Sequence, residues 1–325
     1  MVHFFQKKTV GVSISDNAIE VVELVHDGAF KISSRGRVEL ETGVIVKGRI
    51  SDSLKLTASF RELFRNVEFP HEIICGLPEA QTFLSIYESE DMSKESITRA
   101  VYQNIPLEKE NIIFSYAVGR DEKEKKRVLV IAASRVVLSE WNNFFISLGI
   151  EVKFFDSEAL AIVRNVFSSR PKDPACIVRS DAFLTMILVC DEYGLAYAYS
   201  LRTTGDTTMI VREIRGAFDY YRHREQKDIH ALVLVGSLSR TSGFKDYMEK
   251  NMGIPAKSDL PETVDLAALG IAMRGFEEGD PVLTIEGAAR HHSQKMPLAG
   301  LVAIATLSVA IVLVTVLIIW ALVLW

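Results

Sequence analysis

The C-terminal stretch from Leu298 to Trp325 is the feature that most constrains this chain. It contains no charged side chain, and its polar side chains are hydroxyls that can bond to their own helix, namely Thr306, Ser308 and Thr315. Because an unpaired backbone group in lipid costs several kcal/mol, a bilayer core is crossed by a helix of roughly 20 apolar residues. The stretch therefore predicts one transmembrane helix over residues 298–325. A buried core helix is the less favoured alternative, since such helices rarely run this long without a polar face.

The charges that flank this stretch predict its orientation. Arg290, His291, His292 and Lys295 come just before it, and no charged residue follows it. Because lysine and arginine accumulate on the cytoplasmic side of a span, we expect residues 1 to about 295 to lie in the cytoplasm.

The composition argues against several classes of function. With a formal net charge of −5 and a pI near 5.9, the chain lacks the basic field of a general nucleic-acid binder. Cys75, Cys176 and Cys190 lie in apolar runs without zinc-ligand spacing, which predicts small buried side chains. No Ser-His-Asp or Cys-His grouping and no metal-ligand cluster is recognisable, so we expect neither a metal site nor a catalytic site of these kinds.

The first 78 residues have the pattern of an α/β core. Three β-type segments, Thr9 to Ser15, Ile19 to Val25 and Phe30 to Leu40, are joined by short turns. A helix capped by Asp52 follows, and Ile73 to Leu77 is typical of a buried strand. Three strands, a helix and a strand in this order are found in the ribonuclease-H-like core of actin-like ATPases.

The remaining chain predicts an insertion, a return to the first core and a second copy of the plan. Residues 79–152 alternate strands and helices and are expected to form an inserted α/β subdomain, whereas residues 153–170 return to the first core. Residues 171–276 repeat strands and helices in the order of the first core, as internal duplication would. Residues 277–297 have mixed charge and no firm period, which predicts a linker.

Several motifs in order resemble the PilM family, the cytoplasmic actin-like component of type IV pilus machines. They are the segments GVSISDNAIEVVEL (11–24), TGVIVKGRISD (42–52), LVIAAS (129–134), LGIEVKFFDSEA (148–159), REIR (212–215), FDYY (218–221), LVLVGS (232–237) and GFKDYM (243–248). The resemblance covers about residues 9–276. It implies a two-lobed actin-like fold with a cleft between the lobes. Residues 1–78 and 153–170 would form subdomain 1A of the first lobe, and residues 79–152 would be the subdomain inserted into it.

The resemblance also identifies a nucleotide cleft that has lost its characteristic residues. Actin-like ATPases hold Mg²⁺ through an acidic residue in each of two phosphate loops, whose glycines let backbone N–H groups approach the phosphates. At the matched positions this sequence has Ser13 and Ser15 in the first loop, and Arg179 and Asp181 in the second. The cleft residues implied by the resemblance are Ser13, Ser15, Asp16, Asn17, Arg179, Asp181, Gly205, Gly236 and Ser237. Between Gly205 and the REIR segment (212–215) the chain is shorter than in the family, which implies a reduced subdomain over the nucleotide.

These departures predict no ATP hydrolysis and no ATP cofactor. Arg179 is a fixed cation where the metal would lie, and Asp181 adds a negative charge where a phosphate would pass. We expect a salt bridge from Arg179 to Asp181 or Asp16 to fill the cleft, in preference to a new ligand site built on Arg179.

One pair of carboxylates near the end of the first core could be interpreted as catalytic. Asp156 and Glu158 have the spacing of an acid/base pair, but a helix cap and a first-turn acid explain them more simply.

The resemblance implies a scaffold of a type IV pilus or type II secretion assembly platform. In the PilM family a membrane partner, PilN, inserts its short cytoplasmic tail into a groove between subdomains. A cytoplasmic actin-like part with one crossing also resembles GspL of type II secretion, although no periplasmic domain follows Trp325 here. We therefore expect inner-membrane localisation, a secretion-type motor ATPase and PilN/PilO-like or GspM-like membrane proteins as partners, and no nucleic acid. The resemblance leaves open whether the chain forms a homodimer.

Two alternatives belong to other classes. An FtsA-like ATP-binding protein that tethers a filament or division complex would need the phosphate loops that Ser13 and Arg179 contradict. A sugar or acetate kinase of the same superfold would need a catalytic carboxylate in those loops.

Overall fold

Two five-stranded sheets with the same strand order organise the chain. The structure is a computed structural model that describes residues 7–65, 70–89, 91–119, 126–167, 169–181, 184–202, 206–258, 266–277 and 279–285. The strands are β1 (Lys7–Ile14), β2 (Ala18–His26), β3 (Phe30–Glu39), β4 (Ile45–Val46), β5 (Arg49–Ile50), β6 (Glu72–Leu77), β7 (Phe83–Ser89), β8 (Ile112–Gly119), β9 (Lys126–Ser134), β10 (Glu151–Ser157), β11 (Ala175–Ser180), β12 (Leu184–Asp191), β13 (Gly194–Arg202), β14 (Ala231–Val235) and β15 (Ala256–Lys257). The helices are α1 (Ser53–Leu63), α2 (Lys94–Asn104), α3 (Arg135–Ser147), α4 (Glu158–Val166), α5 (Thr207–Glu225), α6 (Phe244–Met252) and α7 (Leu266–Met273).

The two sheets confirm the predicted internal duplication. The first sheet has the order β10-β6-β1-β2-β3, and the second has the matching order β15-β14-β11-β12-β13. In each, an antiparallel meander of three strands is extended by two parallel strands. The first sheet with its helices is the first lobe below, and the second sheet with its helices is the second lobe.

The chain segment between β6 and β10 forms a smaller sheet with its own core. Its strand order is β7-β9-β8, and α2 covers it through Ile97 and Val101. The following helix, α3, packs against the first lobe, where its Trp141 and Phe145 are buried with α1. The insertion was predicted to end at residue 152, but it ends at residue 150, because β10 begins at Glu151.

Strand β10 was not predicted as a strand, and the helix after it was predicted to begin at the wrong residue. The sequence placed a helix cap at Asp156, but Ser157 is the N-cap of α4 and accepts a hydrogen bond from the Leu160 N–H. Asp156 is the penultimate residue of β10, and its carboxylate is 1 % exposed. The Asp156 cap prediction is therefore wrong.

Glycines allow α7 to lie directly on neighbouring backbone. A Cβ on Gly270 would lie 1.9 Å from the Ala161 carbonyl oxygen of α4. On the sheet side, a Cβ on Gly11 of β1 would lie 2.3 Å from the Ala268 carbonyl oxygen. This close approach buries Ala268 and Ala272 against Val22 of β2. Because α4 covers one side of α7 and the first sheet covers another, all residues of this helix are apolar.

The first part of the predicted linker is packed on the first sheet. Leu283 forms an antiparallel bridge with Phe155 of β10 and is 1 % exposed. Buried Arg164 of α4 donates to Asp280 and to Asp156, and Arg274 donates to the Asp280 carbonyl. The linker prediction is therefore wrong for residues 279–285.

The predicted span at residues 298–325 lies outside the described residues. Within the part of the chain that the structure describes, no helix is both long enough and apolar enough to cross a membrane.

The close α4–α7 contact predicts a large cost for one added methyl group. Gly270→Ala is expected to destabilise the fold by about 1–3 kcal/mol, because the new methyl meets backbone rather than a movable side chain. Gly216→Ala is the matched control, since the exposed face of α5 has nothing within 4 Å of that site. It should stabilise by roughly 0.4–1 kcal/mol. Urea unfolding of both variants measures the difference, and equal midpoints would contradict the packing argument.

Candidate functional site

The first predicted loop is a closed turn between β1 and β2. The Ser15 hydroxyl bonds to Asn17 Oδ1 at 2.8 Å and to the Ala18 carbonyl oxygen at 3.1 Å. Asp16 accepts hydrogen bonds from the backbone N–H groups of Lys47 and Gly48, at 2.9 and 2.8 Å. The Asp16 carboxylate therefore fixes the β4–β5 hairpin.

Arg179 lies at the centre of the matched cleft, between two carboxylates. Its Nε atom donates to Asp181 Oδ2 at 3.0 Å, and its Nη1 atom donates to Glu158 Oε1. Burial alone would lower the pKa of Arg179, but the charges of Glu158 and Asp181 raise it above its ordinary value. The predicted Arg179–Asp181 salt bridge is confirmed, whereas Asp16 pairs with Arg202 at 3.7 Å instead.

The other oxygen of Asp181 binds the late glycine loop. Asp181 Oδ1 accepts from the Ser237 N–H at 2.7 Å. Gly236 has φ +89°, and a Cβ there would lie 2.6 Å from the Ser180 carbonyl oxygen. Burial would raise the pKa of Asp181, but Arg179 and the Ser237 N–H together lower it. Ser237 therefore binds a side chain of the protein itself, and Gly236 lies against the Ser180 backbone.

Glu158 links the two lobes and was not predicted to be in the cleft. It begins α4 in the first lobe and is 4 % exposed, whereas Arg179 belongs to the second lobe. The Ser13 hydroxyl also points to Glu158, at 3.4 Å from Oε1. Ser13 therefore contacts Glu158 of this cluster. Gly205, the remaining predicted cleft residue, lies outside the described residues.

Glu79 is a second carboxyl group that sequence reasoning missed. It begins the 3₁₀ turn after β6, and its Oε1 accepts from the Ser200 hydroxyl of β13 at 2.5 Å. Its Oε2 is buried and has no hydrogen-bond partner. Burial raises the pKa of Glu79 to about 7, and neighbouring Glu158 adds to the shift, while Ser200 and Arg179 oppose it.

The described residues hold no metal-ligand cluster, and the carboxylate pair predicted from the sequence is not formed. No group of three or more His, Cys, Asp or Glu side chains in them has the geometry to hold a metal ion. Asp156, the candidate partner of Glu158, points away from the cleft and pairs with Arg164 at 2.9 Å. Burial raises the pKa of Asp156, and Arg164 opposes that shift.

The fold defined by these two sheets and the cleft between them is the actin-like ATPase fold. Among solved structures, the chain is similar to that of the PilM–PilN type IV pilus biogenesis complex, with a TM-score of 0.71 and 14 % identity over 83 % of this chain and 99 % of that chain. A Bacteroides thetaiotaomicron protein with an actin-like ATPase fold and unknown function gives a TM-score of 0.51 and 15 % identity, over 85 % and 98 % of the two chains.

A third similar structure comes from a secretion machine. The cytoplasmic domain of EpsL, an inner-membrane component of the Vibrio cholerae type II secretion system, gives a TM-score of 0.50 and 10 % identity over 84 % of this chain and 97 % of that chain. Neither a protein-family model nor a curated protein sequence matches the chain. The predicted actin-like α/β fold is confirmed by these similarities.

The raised pKa of Glu79 predicts that stability depends on pH. An unfolded Glu79 ionises near its ordinary value of 4.5 but a folded one near 7, so folding binds a proton between these pH values. The contribution of Glu79 to stability should therefore fall as pH rises from about 4.5 to about 7. Glu79→Gln is neutral at every pH and should gain stability relative to the wild type across that window. Thermal unfolding from pH 4.5 to pH 8 measures the difference, with exposed Glu151→Gln as the control. A constant difference for Glu79→Gln would contradict the burial argument.

Proposed function

We propose that the chain is a membrane-anchored scaffold of a type IV pilus or type II secretion assembly platform. In this role it couples a motor ATPase to inner-membrane components. The proposal rests chiefly on the similarity to a chain of the PilM–PilN type IV pilus biogenesis complex, which extends over 99 % of that chain at a TM-score of 0.71. The similarity to the EpsL cytoplasmic domain adds a second assembly that acts at the inner membrane.

The proposed anchor is the uncharged C-terminal stretch at residues 298–325. With the basic residues before it on the cytoplasmic side, the actin-like part faces the cytoplasm. An anchor in the same chain holds the scaffold at the membrane without a separate partner.

The proposal includes a cleft that does not hydrolyse ATP. A magnesium nucleotide does not fit the residues present, because the guanidinium of Arg179 lies between Glu158 and Asp181. Separating a buried ion pair by removing one partner typically costs about 3–5 kcal/mol, so a nucleotide would have to offset a penalty of that order. The bond from Asp181 to the Ser237 N–H further occupies the loop that would approach a phosphate.

This part of the proposal predicts no binding of MgATP. Calorimetric titration of the chain with MgATP should show no binding tighter than about 100 µM, equivalent to roughly 5.5 kcal/mol. We expect this result because Arg179 and Asp181 are already bound to groups of the protein itself. A thermal shift with and without MgATP provides an independent readout. Saturable binding of MgATP below that concentration would refute the degenerate site while leaving the scaffold role open.

The proposed docking region for a membrane partner is the junction of the first lobe with the inserted sheet. Here α1 and α3 pack through Phe60 and Phe145, with ring centroids 5.4 Å apart. Exposed apolar side chains on these two helices include Leu54 of α1 (83 % exposed) and Val136 and Ile146 of α3 (54 % and 59 %), and Val46 of β4 is 46 % exposed. A partner segment that covered Leu54 would remove its apolar surface from water.

Affinity purification tests the proposed function. The full chain in detergent should recover a secretion-type motor ATPase and pilus or secretion membrane proteins from membranes of the source organism. Leu54→Asp should reduce recovery of the membrane partner, because a charge replaces an apolar contact. Tyr199→Asp, an exposed apolar site on β13 of the second lobe, is the matched control and should leave recovery unchanged. Recovery of division proteins instead would favour the FtsA-like alternative.

A further inference from the structure

Glu79 lies where three parts of the molecule meet. It follows β6 of the first sheet and begins the 3₁₀ turn that leads into β7 of the inserted sheet. Its carboxyl group reaches the second lobe, where the Ser200 hydroxyl of β13 donates to Oε1 at 2.5 Å. A change of charge on this carboxyl group therefore acts on the junction of all three parts.

The surroundings of the Glu79 carboxyl group disfavour a negative charge. Its Oε2 atom is buried and has no hydrogen-bond partner among the described residues. Taking a carboxylate out of water without compensating hydrogen bonds favours its neutral form. The junction as the structure shows it, with Glu79 bonded to Ser200, therefore favours a protonated Glu79. We call this arrangement the closed junction.

The charged groups of the cleft do not compensate a charge on Glu79. Glu158 at the start of α4 repels a carboxylate at this position, and Arg179 of β11 attracts one. The guanidinium group of Arg179 already donates to Glu158 and to Asp181. With all four groups ionised, three negative charges and one positive charge leave a net charge of −2, which protonation of Glu79 reduces to −1.

Other charged groups lie at the rim of this junction, where water screens them. Arg202 of β13 forms an ion pair with Asp16 of the β1–β2 turn at 3.7 Å, and both side chains are exposed to solvent. Lys47, whose carbonyl oxygen accepts from Gln81 of the same 3₁₀ turn, is also exposed. Exposed charges act only weakly on a buried neighbour at this range. The protonation of Glu79 is therefore governed by burial and by the groups of the cleft.

We propose that the contact of the second lobe with the turn at Glu79 is a proton-dependent latch, closed when Glu79 is neutral and open when it is a carboxylate. Opening separates Ser200 from the turn and lets water reach both carboxylate oxygens, while each sheet keeps its own core. The latch tightens the junction as the pH falls. This behaviour does not depend on the scaffold role, because it needs only the described residues of the cleft.

Proton linkage gives the direction and the range of the effect. Burial raises the pKa of Glu79 in the closed junction to about 7, whereas a solvated Glu79 in the open junction has its ordinary pKa of 4.5. The advantage of the closed junction is therefore complete below about pH 4.5 and is lost as the pH rises to about 7. Between pH 5.5 and pH 8, the ratio of open to closed junctions should rise by up to about 30-fold.

Two adjacent positions on β12 distinguish opening of the latch from unfolding. Met186 lies opposite Ser200 in the β12–β13 register and belongs to the core that the second sheet shares with the first lobe. Ile187 faces the other way, into the core of the second lobe itself, and both side chains are 0 % exposed. Opening should therefore expose position 186, whereas only unfolding of the second lobe exposes position 187.

The experiment measures thiol modification in the full chain in detergent, with Met186→Cys as the reporter and Ile187→Cys as the matched control. Mass spectrometry quantifies modification at each site from pH 5.5 to pH 8. Each chain is compared with the same chain carrying Glu79→Gln, which is neutral at every pH. Because both chains contain the same thiol, their rate ratio at one pH is independent of the ionisation of the thiol.

At pH 8 the thiol of Met186→Cys should react several-fold faster than that of Ile187→Cys. The rate of Met186→Cys relative to the same chain with Glu79→Gln should rise by up to about 30-fold between pH 5.5 and pH 8. Ser200→Ala removes a hydrogen bond that lowers the pKa of Glu79, so it should move this rise to higher pH.

Equal rates at positions 186 and 187 would overturn the latch, because exposure would then require unfolding of the second lobe. A rate ratio that does not change with pH would overturn it as well. If Glu79→Gln does not fold, the comparison of Ser200→Ala with its parent tests the same latch, and an unchanged pH dependence of the Met186→Cys rate then counts against it.

Discussion

The ion pairs of Arg179 with Glu158 and Asp181 hold the cleft of this protein together. One guanidinium group joins α4 of the first lobe to β11 of the second, and Asp181 extends the contact to the loop at Ser237. In actin-like ATPases a bound nucleotide and its metal ion connect the same segments. Here a guanidinium group of the chain itself makes this connection.

Local patterns were sufficient to predict most of the fold. The meander β1–β2–β3 and its counterpart β11–β12–β13 were recognisable because alternating apolar residues and short turns are properties of neighbouring residues. The Arg179–Asp181 pair was predictable for the same reason, because the two residues are two positions apart at the end of β11. The duplication followed from comparing the order of these local patterns.

Long-range contacts explain what sequence reasoning missed. Glu158 meets Arg179 across 21 positions, and Glu79 meets Ser200 across 121, so neither acid differs locally from an ordinary helix or turn residue. Asp156 looked like a helix cap because a cap and a strand end have similar sequences. Its actual partner, Arg164, lies 8 residues further along the chain, so the local pattern did not reveal the pair. The matching strand of the second lobe, β15, is only two residues long, so the repeated plan gave no sequence signal for β10.

The packing of residues 279–285 also determines how the protein would bear mechanical load. Tension applied to the chain beyond Ile285 reaches the bridge between Leu283 and Phe155 and the contact of Asp280 with Arg164 before it reaches any helix of the second lobe. These bonds lie on the outer side of β10 and join a short extended segment to the sheet edge. Because the force runs along that segment, its bonds are sheared together rather than opened one at a time. Traction is delivered to β10 and, through Arg164, to α4, the helix that begins with Glu158 of the cleft.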